Sequence, residues 1–266
     1  MRFGATDRWR TCYSILTYSQ VGAAAALSAV AVISKMEVPA GATGIKYELL
    51  ALAQANTGYI LVFANFVLWT AHVVKKYYGN PWAWDSVKVL LDEFREHVFY
   101  GKKSQVFAHS DRVTLFKFGW RFRWCIFPTP DWLFTVERSG HMTRRKRVWF
   151  RVKDDGHSLQ GVAGETWGKG STILVEDLPL LRTGSQEHHF LDYAKKAFTE
   201  PRKISKKIKA NKTVARSLCG IIVEVSGRPW GVIVIDSANP KLVTQDEIEK
   251  FYQKNAKLLA KLLAVI

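Results

Sequence analysis

Cysteine is scarce in this sequence: 266 residues hold only Cys12, Cys125 and Cys219. The three lie far apart, form no CxxC and show no metal-ligand spacing. That argues against a disulfide framework and a thiolate metal centre, and for reduced thiols in a cytoplasmic compartment. Acidic residues are also few, 23 Asp and Glu against 39 Lys and Arg, for a formal net charge of +16. Such a balance favours an anionic partner: a lipid surface, a nucleotide or a nucleic acid. No stretch reads as a kinase, cyclase or DNA-binding output. The basic segments lack the interleaved aromatic groove that nucleic-acid binding needs, so no nucleic acid duplex is expected as a partner.

Charge of either sign is missing altogether from two long runs. Residues 13–34 hold none over 22 positions, between Arg10 and Lys35. Residues 49–74 hold none over 26, closed by Lys75 and Lys76. A bilayer core takes roughly 20 residues of helix, so both runs are long enough. A soluble amphipathic helix shows a charged face, and neither run does. A cleaved signal peptide fits the first run taken alone, and the second run directly behind it argues against that. The expectation is a two-helix transmembrane hairpin with spans at 13–34 and 51–74, inside an N-terminal segment 1–80.

Lys and Arg set the orientation. Arg2, Arg8 and Arg10 precede the first span, and Lys75 and Lys76 follow the second. The connection holds only Lys35 and Lys46, offset by Glu37 and Glu48. Positive residues stay inside, which predicts a two-pass protein of a bacterial inner membrane with both termini cytoplasmic. Tyr77, Tyr78, Trp82 and Trp84 read as an aromatic belt, and Pro81 is expected to end any continuing helix. Polar residues within the spans need partners. Gly22, Ala23 and Ala26 are small enough for close helix contact, within the hairpin or in a homo-oligomer.

Beyond position 81 the pattern changes to that of a soluble domain, 81–266. Apolar positions 87, 90, 91, 94 and 98 have helical spacing. Strands are expected at 112–118, 132–137, 148–152, 172–175, 217–225 and 230–235, and short helices at 161–167 and 190–197. Gly227 supplies the positive φ that the turn 226–229 needs. Residues 245–265 read as an amphipathic helix with Thr244 as N-cap and Glu247 at the capping-box position. The order gives an α+β domain, an antiparallel sheet with its two terminal helices packed on one face.

Several stretches carry a family resemblance. They are DRVTLFKF at 111–118, GVAGETWGKG at 161–170, ILVEDL at 173–178 and SLCGIIVEVSGRPWGVIVIDS at 217–237. With them, residues from about 85 to 266 resemble a GAF domain. The resemblance implies a regulatory rather than enzymatic module with a small-molecule pocket on the sheet face opposite the terminal helices. No cofactor is indicated. The candidate ligand contacts are Trp124, Glu165, Trp167, Asp177, Cys219 and Asp236. The plainer readings stay open: Cys219 as a mid-strand core residue, Asp236 as a strand-terminal one, and the glycines of 161–170 as a tight connection.

Two basic clusters stand out. One is Lys195, Lys196, Arg202, Lys203, Lys206, Lys207, Lys209, Lys212 and Arg216, an inserted segment over 195–216; the other is Arg144, Arg145, Lys146, Arg147 and Arg151. Contact with the anionic inner leaflet, contact with phosphates of a nucleotide ligand, and a solvated loop are three competing uses. Lys203, Lys206, Lys207, Lys209, Arg145 and Arg147 are the candidates. Trp120, Phe122, Trp124 and Phe127, interleaved with Arg121 and Arg123, either dip into the headgroup region, cover the pocket, or form a connection packed on the core.

Three functional readings follow. In the first, the GAF-like domain binds a small molecule, with a cyclic nucleotide as one candidate, and changes the state of the hairpin. That arrangement looks like the two-helix membrane effectors of bacterial antiviral nucleotide signalling. In the second, a ligand-free membrane-tethered scaffold recruits a protein partner. In the third, Cys125 and Cys219 serve a methionine-sulfoxide-reductase-like reaction, which needs thiols gathered at the pocket.

Overall fold

A computed structural model describes residues 7–36, 44–100, 111–123, 127–139, 148–152, 160–210, 212–241 and 244–266. The chain divides into two compact units that part between Ala83 and Trp84.

The first unit is helical: α1 (Asp7–Ile33), α2 (Ile45–Ala55) and α3 (Thr57–Tyr78). Two stretches, Arg10–Ile33 and one within Thr57–Phe99, are long and apolar enough to cross a membrane. Helices α1 and α3 pack against each other. Lys75 donates to Gln20 at 2.6 Å, and Gln54 donates to the carbonyls of Ile33 and Met36 at 3.1 and 2.7 Å. Pairing low numbers with high ones makes the two helices antiparallel. The seam is built on Ala23 and Val30 of α1 and Ala64 and Ala71 of α3, each pair seven residues apart and all buried. Small residues let the helices approach. A Cβ on Gly22 would meet open space, so Gly22 does not serve that contact.

Several polar side chains in the helices are satisfied locally, while the buried Thr70 hydroxyl of α3 has no partner among the described residues. Thr17, Ser28, Thr57 and Asn65 each donate to the carbonyl four residues earlier, at 2.8 to 3.1 Å. Outward-facing residues remain apolar: Tyr59, Val62, Phe63, Phe66 and Trp69 are all exposed.

Two expectations shift here. The run 49–74 is not one helix, because Asn56 breaks it and the long helix starts at Thr57 rather than 51. Pro81 does not end a helix. Helix α3 stops at Tyr78, before Gly79 in a positive-φ conformation, and Pro81 is the first residue of α4 (Pro81–Tyr100). Proline has no N–H to lose at that position.

The second unit has an α+β fold. Its six antiparallel strands are β1 (Arg112–Arg123), β2 (Phe127–Arg138), β3 (Trp149–Arg151), β4 (Ile173–Val175), β5 (Ser217–Val225) and β6 (Arg228–Ser237), in the order β3-β2-β1-β6-β5-β4. Helix α5 (Gly161–Lys169) follows β3, α6 (Glu187–Lys196) and α7 (Pro201–Lys209) precede β5, and α8 (Gln245–Ala264) comes last.

The terminal helices form as their spacing predicts. Trp84, Val87, Leu90, Leu91, Phe94 and Val98 are buried along α4. Phe94 meets Phe251 of α8 edge-on at 4.9 Å, and His97 stacks on the same ring at 4.3 Å. Thr244 caps α8 with Glu247 in a capping box. The β5–β6 turn is the two residues Ser226 and Gly227, both at positive φ.

Three elements differ from expectation. Strands β1 and β2 extend over 119–123 and 127–131, where a connection was one reading. Pro128 and Pro130 there argue against a strand by sequence, yet Pro128 pairs with Phe122 next to a register shift. The basic segment 195–216 contains the helix α7, opened by Pro201 and seated by the buried Ile204 and Ile208.

Candidate functional site

Register decides which side chains share a face. Directly paired residues of an antiparallel sheet point the same way, and neighbours along a strand point oppositely. Arg112 pairs with Asp236, which pairs with Leu218; Arg138 pairs with Thr114, Val234 and Gly220 continuing the row. These two rows lie on one face. The next row, Phe116 with Val232 and Ile222, packs with Ala163 and Trp167 of α5. Leu218 packs under α6 and α7 beside Tyr193, Ile204 and Ile208. This face is therefore covered by α5, α6 and α7. The residues between, such as Val113, Leu115, Cys219 and Ile235, point to the other face, where α8 packs on β5.

Helix α5 sits unusually close to its strand. A Cβ on Gly220 would overlap the Thr166 hydroxyl, which is itself buried. Trp167 then reaches Phe118 and stacks on it at 4.3 Å. The glycines at 161–170 serve this connection: Gly161 turns the chain at positive φ and Gly170 caps the helix in the left-handed conformation.

Where β1, β2 and β6 lie side by side, the face is ionic. Both Nε and a terminal nitrogen of Arg112 donate to one oxygen of Asp236, Nε at 2.6 Å. The side chains are 28% and 13% exposed. Arg138 Nε donates to Thr114 Oγ1 at 2.9 Å. Burial pushes the Asp236 carboxyl up, while Arg112 first, then Arg138 and Lys207, pull it down. Burial lowers the Arg138 pKa, Arg112 adds to that, and Asp236 opposes it. Lys207 stands on an exposed position of α7, yet desolvation lowers its pKa, with Asp236 acting against and Arg112 and Lys212 adding to it. Tyr193 donates to the Ala215 carbonyl at 2.7 Å, and burial followed by the charge of Asp236 raises its pKa.

The expected site residues separate into groups. Asp236 is paired with Arg112, Lys207 is exposed on α7, and Trp167 and Glu165 lie on α5 over the same face as Asp236. Glu165 is held by Lys169 at 3.0 Å. Asp177 is exposed at positive φ past β4, its N–H donating to the Pro240 carbonyl at 2.9 Å. Lys206 and Lys209 are exposed on α7, and Lys203 is paired with Glu200 at 2.7 Å. Trp124, Arg145 and Arg147 lie outside the described residues, as does Cys125, and so do the side chains of Trp120, Phe122 and Phe127. His188 and His189 begin α6, exposed.

Cys219 is a correction. It is fully buried on the α8 face, one residue out of phase with Asp236, and so points away from the ionic group. Burial, then Glu249 and Glu176, pushes its thiol up to about 12. A thiol needs its thiolate form to react, so Cys219 is an inert core residue. In the folded full chain at pH 8 it resists alkylation by iodoacetamide, and it becomes modified in denaturant. Mass spectrometry of the peptide reads the difference. Alkylation of Cys219 in the native chain, at the rate of a free thiol, would contradict this placement.

Arg112 and Arg138 were not singled out by sequence. A faint signal exists, since Arg112 opens a strand of apolar residues and Asp236 closes VIVID. Only the register shows that they pair.

No family model and no curated protein matches the chain. Among solved structures it is similar to the free methionine-R-sulfoxide reductase of Neisseria meningitidis in complex with its substrate, at 18% identity and a TM-score of 0.36 over 59% of this chain and 68% of that one. It is also similar to the type II free methionine-R-sulfoxide reductase of Thermoplasma acidophilum, at 14% identity and a TM-score of 0.39 over 68% and 92%. A third is the GAF domain of an Acinetobacter phosphoenolpyruvate-protein phosphotransferase, at 12% and 0.34 over 58% and 71%. At these values nothing of the neighbours' ligands or chemistry transfers to this chain.

Proposed function

We propose that this chain is a membrane-anchored sensor, in which the GAF-like unit binds a small molecule and thereby alters the state of the helical hairpin. The observation that carries the ligand part is the ionic group on the sheet face away from α4 and α8. Desolvating charge is costly unless it is fully compensated. A sheet face needs no such group for stability, because apolar residues of similar size serve a core as well or better. A binding role accounts for its presence. The anchor part is supported by two apolar helices in which Thr17, Ser28, Thr57 and Asn65 bond the carbonyl four residues earlier and Tyr59, Val62, Phe63, Phe66 and Trp69 face outward. The bacterial inner membrane, with both termini on the cytoplasmic side, is the location that the Lys and Arg distribution favours.

Two measurements test the two halves. In membranes from an expressing cell, the full chain stays in the pellet after alkaline carbonate extraction; release into the supernatant would rule out the anchor. Purified full chain in lipid nanodiscs, screened against small metabolites with cyclic nucleotides first among them, shows a rise in melting temperature with at least one compound. A flat screen would favour the ligand-free scaffold.

A further inference from the structure

The ionic group is unbalanced. Among the described residues, Arg112 pairs with the carboxylate of Asp236, and Arg138 stands two positions along the same face, where Thr114 separates it from Arg112 along β1. Asp111, next along the chain, is engaged by Ser237 instead. Arg112 donates twice to the same Asp236 oxygen. Arg138 donates through Nε to Thr114, and among the described residues no acceptor meets its two terminal nitrogens. Arg112 keeps 28% of its side chain in contact with solvent, so the group is reachable. Two guanidinium groups, from β1 and β2, thus stand on one face beside a single carboxylate.

Resting on the sensor reading above, we infer that the ligand carries an oxyanion, a carboxylate or a phosphate, which docks between Arg112 and Arg138 beside Asp236. Two guanidinium forks suit the planar or tetrahedral oxygens of such groups. Asp236 has a second role in this arrangement. It holds Arg112 in place when the site is empty and competes with the incoming anion, which limits affinity and makes binding reversible. Lys206 and Lys209, exposed on the outer face of α7, take no part.

Inorganic phosphate is the probe. Full chain in phosphatidylcholine nanodiscs is melted in rising phosphate, with chloride at matched ionic strength as reference. Phosphate raises the melting temperature, by about 5 °C at a hundredfold excess over its Kd, and chloride does not. Arg138→Gln removes the fork with unmet nitrogens and weakens phosphate about tenfold. It also relieves a repulsion from Arg112, so the variant folds. Lys206→Gln with Lys209→Gln leaves the shift intact. Repeating the melt with phosphatidylglycerol in the disc identifies the source of the oxyanion: a surviving shift points to a soluble ligand, a lost one to the lipid headgroup.

Equal shifts from phosphate and chloride would overturn the inference. So would a full phosphate shift in Arg138→Gln combined with its loss in the α7 lysine pair. If phosphate fails while an uncharged compound in the metabolite screen raises the melting temperature, the oxyanion falls and the sensor stands. If both fail, so does the sensor.

Discussion

Replacing Asp236 by Ala lowers the stability of the second unit by about 3 kcal/mol, seen as a fall of about 10 °C in melting temperature. Removing one partner of a buried pair leaves the other charge uncompensated, and here Arg138 lies close by as a second cation. Arg112 loses both of its hydrogen bonds to Asp236 at once. Arg138 loses the negative charge that opposes its repulsion from Arg112. The estimate sits at the low end for buried pairs because Arg112 can turn partly to solvent. Asp236→Leu combined with Arg112→Met recovers part of the loss, since an apolar pair of similar volume costs little at such a place. Phosphate also recovers part of it, by supplying the missing negative charge. A melting temperature unchanged in Asp236→Ala would mean that the pair is solvated and contributes nothing.

Gly220→Ala has the second large effect, a loss of about 2 kcal/mol or more. The new methyl would overlap Thr166 Oγ1 and stand 3.0 Å from Val162 Cγ1. Both belong to α5, and Thr166 is wholly buried, so neither can step aside by rotating. The helix must lift from β5, and the Phe118–Trp167 stack on the same helix loosens with it. Adding Thr166→Ala removes the nearest atom and restores part of the loss, because Val162 still crowds the site. Chemical denaturation of the three variants checks this. Equal midpoints for Gly220→Ala and the unaltered chain would show that α5 does not sit where described.

Much of the fold was legible because local signals agreed with the global arrangement. The spacing of Val87, Leu90, Leu91, Phe94 and Val98 defines the buried stripe of α4. Thr244 with Glu247, and Gly227 in its turn, are local chemistry that reads directly. Proline misled once: Pro81 opens a helix that it was expected to close. The site was half legible. Asp236 was in view, but the two arginines come from strand ends with no motif around them, and their meeting depends on register over more than a hundred residues. Cys219 was misplaced for the same reason, since a shift of one position along a strand reverses the face.

The hairpin offers the most direct test of the proposal as a whole. Lys75 and Gln20 touch across α1 and α3, so cysteines at these two positions report their separation. With Cys12 and Cys125 replaced by Ser, the full chain is placed in phosphatidylcholine vesicles and treated with a short thiol cross-linker, with and without saturating phosphate. The account predicts that phosphate changes the cross-linking yield and that Arg138→Gln abolishes the change. A yield that stays constant while phosphate still raises the melting temperature would contradict it, leaving a binding domain on a passive anchor.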